Sequence, residues 1–344
     1  MQRYEHGGYQ GSQLEIELDL SINVNPLGMP ENAKQAIIRD LDSFAHYPDA
    51  KYRNLRAALA ERYDVGEDMV LCGNGATELI YSLCSCIRPK KTLTLAPTFS
   101  EYERAAALFG AETREHLLCE ETGFALTEAI LEAISPELDI VFLCNPNNPT
   151  GRLASPSLCL AVADACEAAG VYLVIDECFI DFTDGQSMIP AVANHPHLLI
   201  LNAFTKIYGM AGLRLGFMIG QSAILSRIAR FIPEWSVSSV AQTAGLSALR
   251  TSGWTEAARS AARAEREYMT ENLTSLGLFV YPSDANFLLV RSTLPLVSAL
   301  MKKKIYVRRC DNFTGLGENF MRIGLRTREE NNKLLRALSE VLHG

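Results

Sequence analysis

Six short runs of this chain are β-branched or leucine-rich almost throughout: Met69-Val70-Leu71-Cys72, Thr92-Leu93-Thr94-Leu95, Ile140-Val141-Phe142-Leu143, Tyr172-Leu173-Val174-Ile175, Leu198-Leu199-Ile200-Leu201 and Leu215-Gly216-Phe217-Met218-Ile219. A strand with one wet face alternates polar and apolar residues. Near-continuous apolarity is what a sheet covered on both faces requires. Between the runs the spacing predicts helices at about 76–87, 99–109, 127–135 and 155–169, with Thr127 and Glu128 opening the third. Strands that alternate with helices in this way build an α/β domain with a mostly parallel sheet.

After residue 235 the rhythm changes. A long helical stretch over about 238–276, with a break near Ser252-Gly253, leads to strand-like runs at 278–281 and 286–291. A helix at 294–303, a strand at 320–324 and a last helix at 327–342 complete a smaller α+β unit. The first thirty residues carry little regular pattern and are expected to pack with that unit. A chain of 344 residues exceeds one average core. The expected division is an N-terminal segment 1–35, a large α/β domain 36–245 and a small C-terminal α+β domain 246–344.

Composition removes several classes of function. A net charge of -8 argues against non-specific nucleic-acid binding, which needs a basic surface. No apolar run approaches the roughly 20 residues of a membrane helix, and Met1 to Gly8 contain no apolar signal core, so a cytoplasmic location is expected. The nine cysteines are scattered, and Cys72, Cys144 and Cys178 lie in or beside strand-like runs, as buried thiols of a reducing compartment do. Cys84-Ser85-Cys86 has the wrong spacing for a zinc site, so no metal is indicated.

Four strings carry chemistry. Gly73-Asn74-Gly75-Ala76-Thr77-Glu78 leaves a strand and opens a helix, where small residues and free N–H groups accept a phosphate; a plain tight turn is the bland alternative. Asn145-Pro146-Asn147-Asn148-Pro149-Thr150-Gly151 fixes a rigid turn at the carboxyl end of a strand, the ligand-binding edge of open α/β sheets. Asp176 ends an apolar strand, where a carboxylate without a partner is costly. Lys206 follows Thr205 and precedes Arg214, whose fork suits a phosphate. An amine, a carboxylate and anion ligands are the three needs of pyridoxal 5'-phosphate (PLP), and Asp176, Lys206 and Arg214 follow one another in the expected order.

Together these strings resemble the fold-type I PLP enzymes of the aminotransferase class I/II superfamily, over essentially the whole chain. The resemblance implies that Lys206 is the imine-forming lysine, that Asp176 pairs with the pyridine nitrogen and that Asn148 binds the phenolic oxygen. It implies that Gly75, Ala76, Thr77, Thr205 and Arg214 hold the phosphate and that Tyr102 stacks on the ring. Tyr47 would reach the partner's coenzyme across a homodimer interface.

Two groups within the superfamily compete: the threonine-phosphate decarboxylases of cobalamin biosynthesis and the histidinol-phosphate aminotransferases. Four strings look like the decarboxylases: His6-Gly7-Gly8, Leu20 to Gly28, Asp176 to Phe182, and Arg308-Arg309-Cys310-Asp311-Asn312-Phe313. Where the aminotransferases carry a tyrosine, this chain has Phe179, which has no hydroxyl to donate. Both groups take an amino compound with a phosphate tail. Arg308 and Arg322 are the expected anion ligands, with His6, Asn23 and Asn148 as further substrate contacts. The implied reaction is decarboxylation of L-threonine O-3-phosphate, or an analogue such as serine phosphate, with amino transfer on histidinol phosphate as the alternative.

Overall fold

All six apolar runs become strands of a single sheet. In the computed structural model, which describes Gly7, Gly8 and residues 15–343, the chain begins with β1 (Leu18–Asp19), α1 (Glu31–Arg39) and α2 (Arg53–Tyr63). It continues through β2 (Val70–Gly73), α3 (Gly75–Ile87), β3 (Lys91–Ala96), α4 (Glu101–Ala107), β4 (Glu112–Leu117) and β5 (Ile140–Cys144). Next come α5 (Pro156–Ala169), β6 (Tyr172–Asp176), β7 (Leu198–Ala203), α6 (Phe204–Ile207), β8 (Gly216–Ile219), α7 (Ser222–Ile228) and α8 (Ser239–Leu249). The C-terminal part holds α9 (Trp254–Ser275), β9 (Phe279–Val280), β10 (Phe287–Arg291) and α10 (Val297–Lys302). β11 (Ile305–Tyr306), β12 (Arg308–Arg309), β13 (Phe320–Gly324) and α11 (Arg328–His343) complete it.

The large sheet has the order β2-β8-β7-β6-β5-β3-β4. β8 runs antiparallel to both neighbours, and the other pairs are parallel. Successive side chains of a strand point to opposite faces, and both faces here are dry. Val141, Leu143, Leu173 and Ile175 enter one core, while Phe142, Val174, Leu199 and Leu201 enter the core on the other face. Double coverage is why these strands lack polar alternation. α5 shows how local chemistry sets an element: Ser155 Oγ accepts the Leu158 N–H, Pro156 opens the helix and Gly170 at φ 68° ends it.

β12-β13-β10-β9 form a second, antiparallel sheet, and β1 pairs with β11. Leu288, Val290 and Ile323 of this sheet share a core with Met269 and Leu273 of α9 and Leu334 and Leu338 of α11. Leu18 and Leu20 enter the same core.

The structure departs from the sequence expectation in particular places. Residues 127–135 form a 3-10 helix, Glu128–Ala133, and Thr127 makes no side-chain cap bond. β4 was not expected because its sequence, Glu-Thr-Arg-Glu-His-Leu, lies on the sheet edge, largely exposed, and carries no apolar face. The expected break in the long helix falls between Leu249 and Trp254, with Gly253 at φ 71°. All nine cysteines are free thiols, and six of them are buried. Among the described residues no helix is long and apolar enough to cross a membrane, and no cluster of metal-ligating side chains occurs.

Candidate active site

Three neighbouring parallel strands deliver their ends to one place. β5 runs on into the Asn145–Gly151 loop, β6 stops on Asp176, and β7 turns at Ala203 into the short α6 that carries Lys206. Register holds them there: Cys144 lies opposite Asp176, and Asp176 opposite Leu201. A cavity of about 480 Å³ opens at this edge, and Lys206, Asp176, Asn148, Arg214, Arg308 and Arg322 all line it.

Lys206 keeps part of its surface open to the cavity. Burial of its amine, with the Arg322 and Arg214 guanidiniums nearby, lowers its pKa to about 8. Its Nζ lies 5.7 Å from the centre of the Phe179 ring. Asp176 is only 5% exposed, and both its oxygens are engaged. Oδ1 accepts the Cys178 N–H at 3.0 Å, and Oδ2 accepts the Tyr102 hydroxyl at 2.6 Å. Two donors fix the orientation of the carboxylate.

Tyr102, the residue expected to stack on the ring, lines the same cavity. Its ring is stacked on Phe142 at 5.1 Å and 9°, its hydroxyl donates to Asp176, and it is 1% exposed. The half-buried aromatic on that wall is Phe99, edge-on to Tyr102 at 5.5 Å. Sequence reading passed over Phe99, although it leaves β3 at the same functional edge.

The first turn of α3 and Arg214 form an anion cradle. Gly75 has φ 81°, and a Cβ on it would lie 2.5 Å from Arg214 Nη2. A Cβ on Gly216 would lie 2.4 Å from the Ala76 nitrogen. Two glycines thus let β8, the helix start and the guanidinium close up, with Ala76, Thr77 and Thr205 on the cavity wall. Arg214 is exposed, with Nη1 donating to the Ala211 carbonyl at 3.3 Å.

The second anion region is built by the smaller sheet. β12 pairs with β13 so that Arg308 lies opposite Arg322, which puts both side chains on one face. Both are buried, at 2% and 6% exposure. Arg308 donates to the Asn312 amide oxygen at 2.9 Å and the Arg309 carbonyl at 2.6 Å. Arg322 donates from Nη1 to Asn148 Oδ1 and from Nη2 to the Ser21 carbonyl at 2.6 Å, while its Nε has no partner. Burial, with help from Arg308, lowers its pKa to about 10, so it stays charged at neutral pH. Asn23, 2% exposed, lines the same cavity with its Oδ1 unpartnered. His6 lies outside the described residues. Tyr47 is 80% exposed and stacked on Trp235 at 4.6 Å, away from this cavity.

These residues suit PLP. A carboxylate held by two donors, an amine of lowered pKa, a glycine-built anion cradle and orphaned buried polar atoms converge on one space. Fold and site define a PLP-dependent enzyme of fold type I. The pattern of the aminotransferase class I and II family matches residues 15–338, and the chain belongs to that family. It is 41% identical to a threonine-phosphate decarboxylase of Salmonella typhimurium over 333 residues, 95% of this chain and 92% of that one. It is 32% identical to a histidinol-phosphate aminotransferase of Bacillus velezensis over 337 residues, 96% and 92% of the two chains. The crystal structure of the histidinol-phosphate aminotransferase from Clostridium acetobutylicum superposes with a TM-score of 0.88 at 30% identity, covering 94% of this chain and 99% of that one.

Proposed function

We propose that the protein decarboxylates L-threonine O-3-phosphate, or a close analogue such as serine phosphate, to the aminoalkyl phosphate. The observation that carries this reading is the pair of buried arginines, Arg308 and Arg322, set in register on one face beside Lys206. A substrate with both a carboxylate and a phosphate offers an anion to each of the two guanidiniums. The similarity to the Salmonella decarboxylase supports the same reading. In this reading the product serves cobalamin assembly, a role supported by the likeness to an adenosylcobalamin biosynthesis bifunctional protein of Leptospira interrogans.

Bound PLP supplies an electron sink for the pair left when a bond at the substrate α carbon breaks. Lys206 would hold it, and once displaced, in its protonated form, would be the acid that delivers a proton to the α carbon after carbon dioxide leaves. Asp176, held by Tyr102 and Cys178, keeps the pyridine nitrogen protonated. Gly75, Ala76, Thr77, Thr205 and Arg214 take the coenzyme phosphate, Asn148 its phenolic oxygen, and Phe99 covers its ring. Arg308, Arg322, Asn23 and His6 orient the substrate. Their placement of the substrate would select which bond at the α carbon breaks. Tyr47 completes the neighbouring site in a homodimer. Amino transfer on histidinol phosphate is the second reading, favoured by the Clostridium neighbour.

The test is to incubate the loaded enzyme with threonine phosphate and trap the gas. One carbon dioxide per aminoalkyl phosphate is expected. Keto-acid-dependent turnover of histidinol phosphate without gas would overturn the proposal. Lys206→Ala is expected to lower kcat by at least about 10²-fold, with coenzyme still bound non-covalently; undiminished turnover refutes its role.

A further inference from the structure

The loop that carries Asn148 is gripped by the smaller sheet at two points. At the first, Arg322 of β13 donates to Asn148 Oδ1. At the second, the turn between β9 and β10 closes on residues 151–153. Asp284 Oδ2 accepts the Leu153 N–H at 3.0 Å, and the Asp284 N–H donates to the Gly151 carbonyl at 2.8 Å. This turn is itself braced. Ser283 Oγ donates to the Phe287 carbonyl at 2.6 Å, and Arg266 of α9 donates to the carbonyls of Asp284 and Ala285 at 3.1 and 3.0 Å. The approach is so close that a Cβ on Gly151 would lie 2.1 Å from Ser283 Oγ. Leu289 of β10 pairs with Arg322, so the turn and the arginine ride on one hydrogen-bonded sheet. The loop's other side is tied to the large sheet, where Asn147 Nδ2 donates to the Pro97 carbonyl at 2.9 Å and Thr98 donates to Asn147 Oδ1 at 2.7 Å.

We infer that Asp284 is a positioning residue for reaction specificity: by clamping this loop to the smaller sheet it fixes the spacing and angle between Asn148 and Arg322. The inference rests on the decarboxylation proposed above. In that reading Asn148 is indexed to the coenzyme and Arg322 to a substrate anion. Their relative placement then sets which bond at the α carbon stands perpendicular to the ring. Backlash of an ångström between them is enough to change the partition.

Threonine phosphate makes such an error visible, because its β carbon carries a good leaving group. If the Cα–H bond breaks in place of the Cα–carboxylate bond, the proton passes to the Lys206 amine. The electron pair left on the α carbon forms a Cα=Cβ bond, and phosphate departs with the C–O pair. The released enamine tautomerises to an imine, which water hydrolyses to 2-ketobutanoate and ammonia. The carboxylate is retained on that path, and no oxidant or reductant is needed. The ratio of 2-ketobutanoate to carbon dioxide therefore reads the alignment directly.

The experiment measures both products in one reaction of the coenzyme-loaded enzyme with threonine phosphate. Asp284→Ala is compared with Asp284→Asn, which keeps an acceptor oxygen for the Leu153 N–H, and with Gly151→Ala, which wedges the turn away without touching Asp284. Asp284→Ala and Gly151→Ala are each expected to raise the ratio on the order of tenfold, and Asp284→Asn is expected to stay near wild type. Should Asp284→Ala fail to fold, Gly151→Ala against Asp284→Asn gives the same reading. A wild type that releases carbon dioxide, with an unmoved ratio in the folded wedge and truncation variants, overturns this inference alone. A wild type that releases none overturns the decarboxylase reading and this inference with it.

Discussion

Burial, with the Arg322 and Arg214 guanidiniums beside it, pulls the Lys206 amine down to about 8, whereas a solvated lysine titrates near 10.4. Only the neutral amine attacks an aldehyde. The rate at which coenzyme-free protein captures PLP is therefore expected to rise with pH through about 8 and level off above it. A rate that climbs on toward the solvated-lysine value would show that the amine is not perturbed. Asp176 stood out in the sequence because it ends an apolar run, where a polar group needs a reason to be, and Lys206 and Asn148, proposed with it for the coenzyme, because each lies in a distinctive string shortly after such a run. The part played by Tyr102 was not legible. Its hydroxyl finds Asp176 74 residues away in sequence, a meeting arranged by the strand order and by nothing local.

At the element scale, the residue after β6 shows how a strand end is pinned. Glu177 is fully buried, and its carboxylate accepts the Ser187 hydroxyl and, at 2.7 Å, the Met188 N–H. Burial, reinforced by Asp181 and Asp176, raises its pKa from 4.5 to about 7. Between these two values the folded protein holds a proton that the unfolded chain has released. Its contribution to stability is thus fully present below about 4.5 and is lost as pH rises to about 7. Glu177→Gln should remove that dependence and raise stability at pH 8 by on the order of 1–3 kcal/mol. Urea unfolding of both proteins at low and high pH reads the difference; an equal gap at both ends contradicts the argument. Elements with a dry face or a clear stop, such as the sheet strands and α5, could be placed from sequence. β4 could not, since an exposed edge strand leaves no apolar signature.

For the whole molecule, the test concerns the proposed homodimer. Tyr47 stands 80% exposed against Trp235, outside its own chain's cavity. If it completes the partner's site, mixing Tyr47→Ala with Lys206→Ala subunits should regenerate one intact site per hybrid dimer. The mixture's activity is then expected to exceed that of either variant alone, and the simple average of the two would reject the exchange. The sequence by itself determined the apolar strand runs of the large sheet and, through the family resemblance of a few strings, the coenzyme class and the residues proposed as its amine, carboxylate and cradle, because apolar period and short motifs are local. Only the tertiary structure decided that Arg308 and Arg322 share a face, that Tyr102 holds Asp176 and that Asp284 clamps the Asn148 loop. Those contacts join distant stretches of chain through strand register and the docking of two sheets, and no local pattern of side chains encodes either.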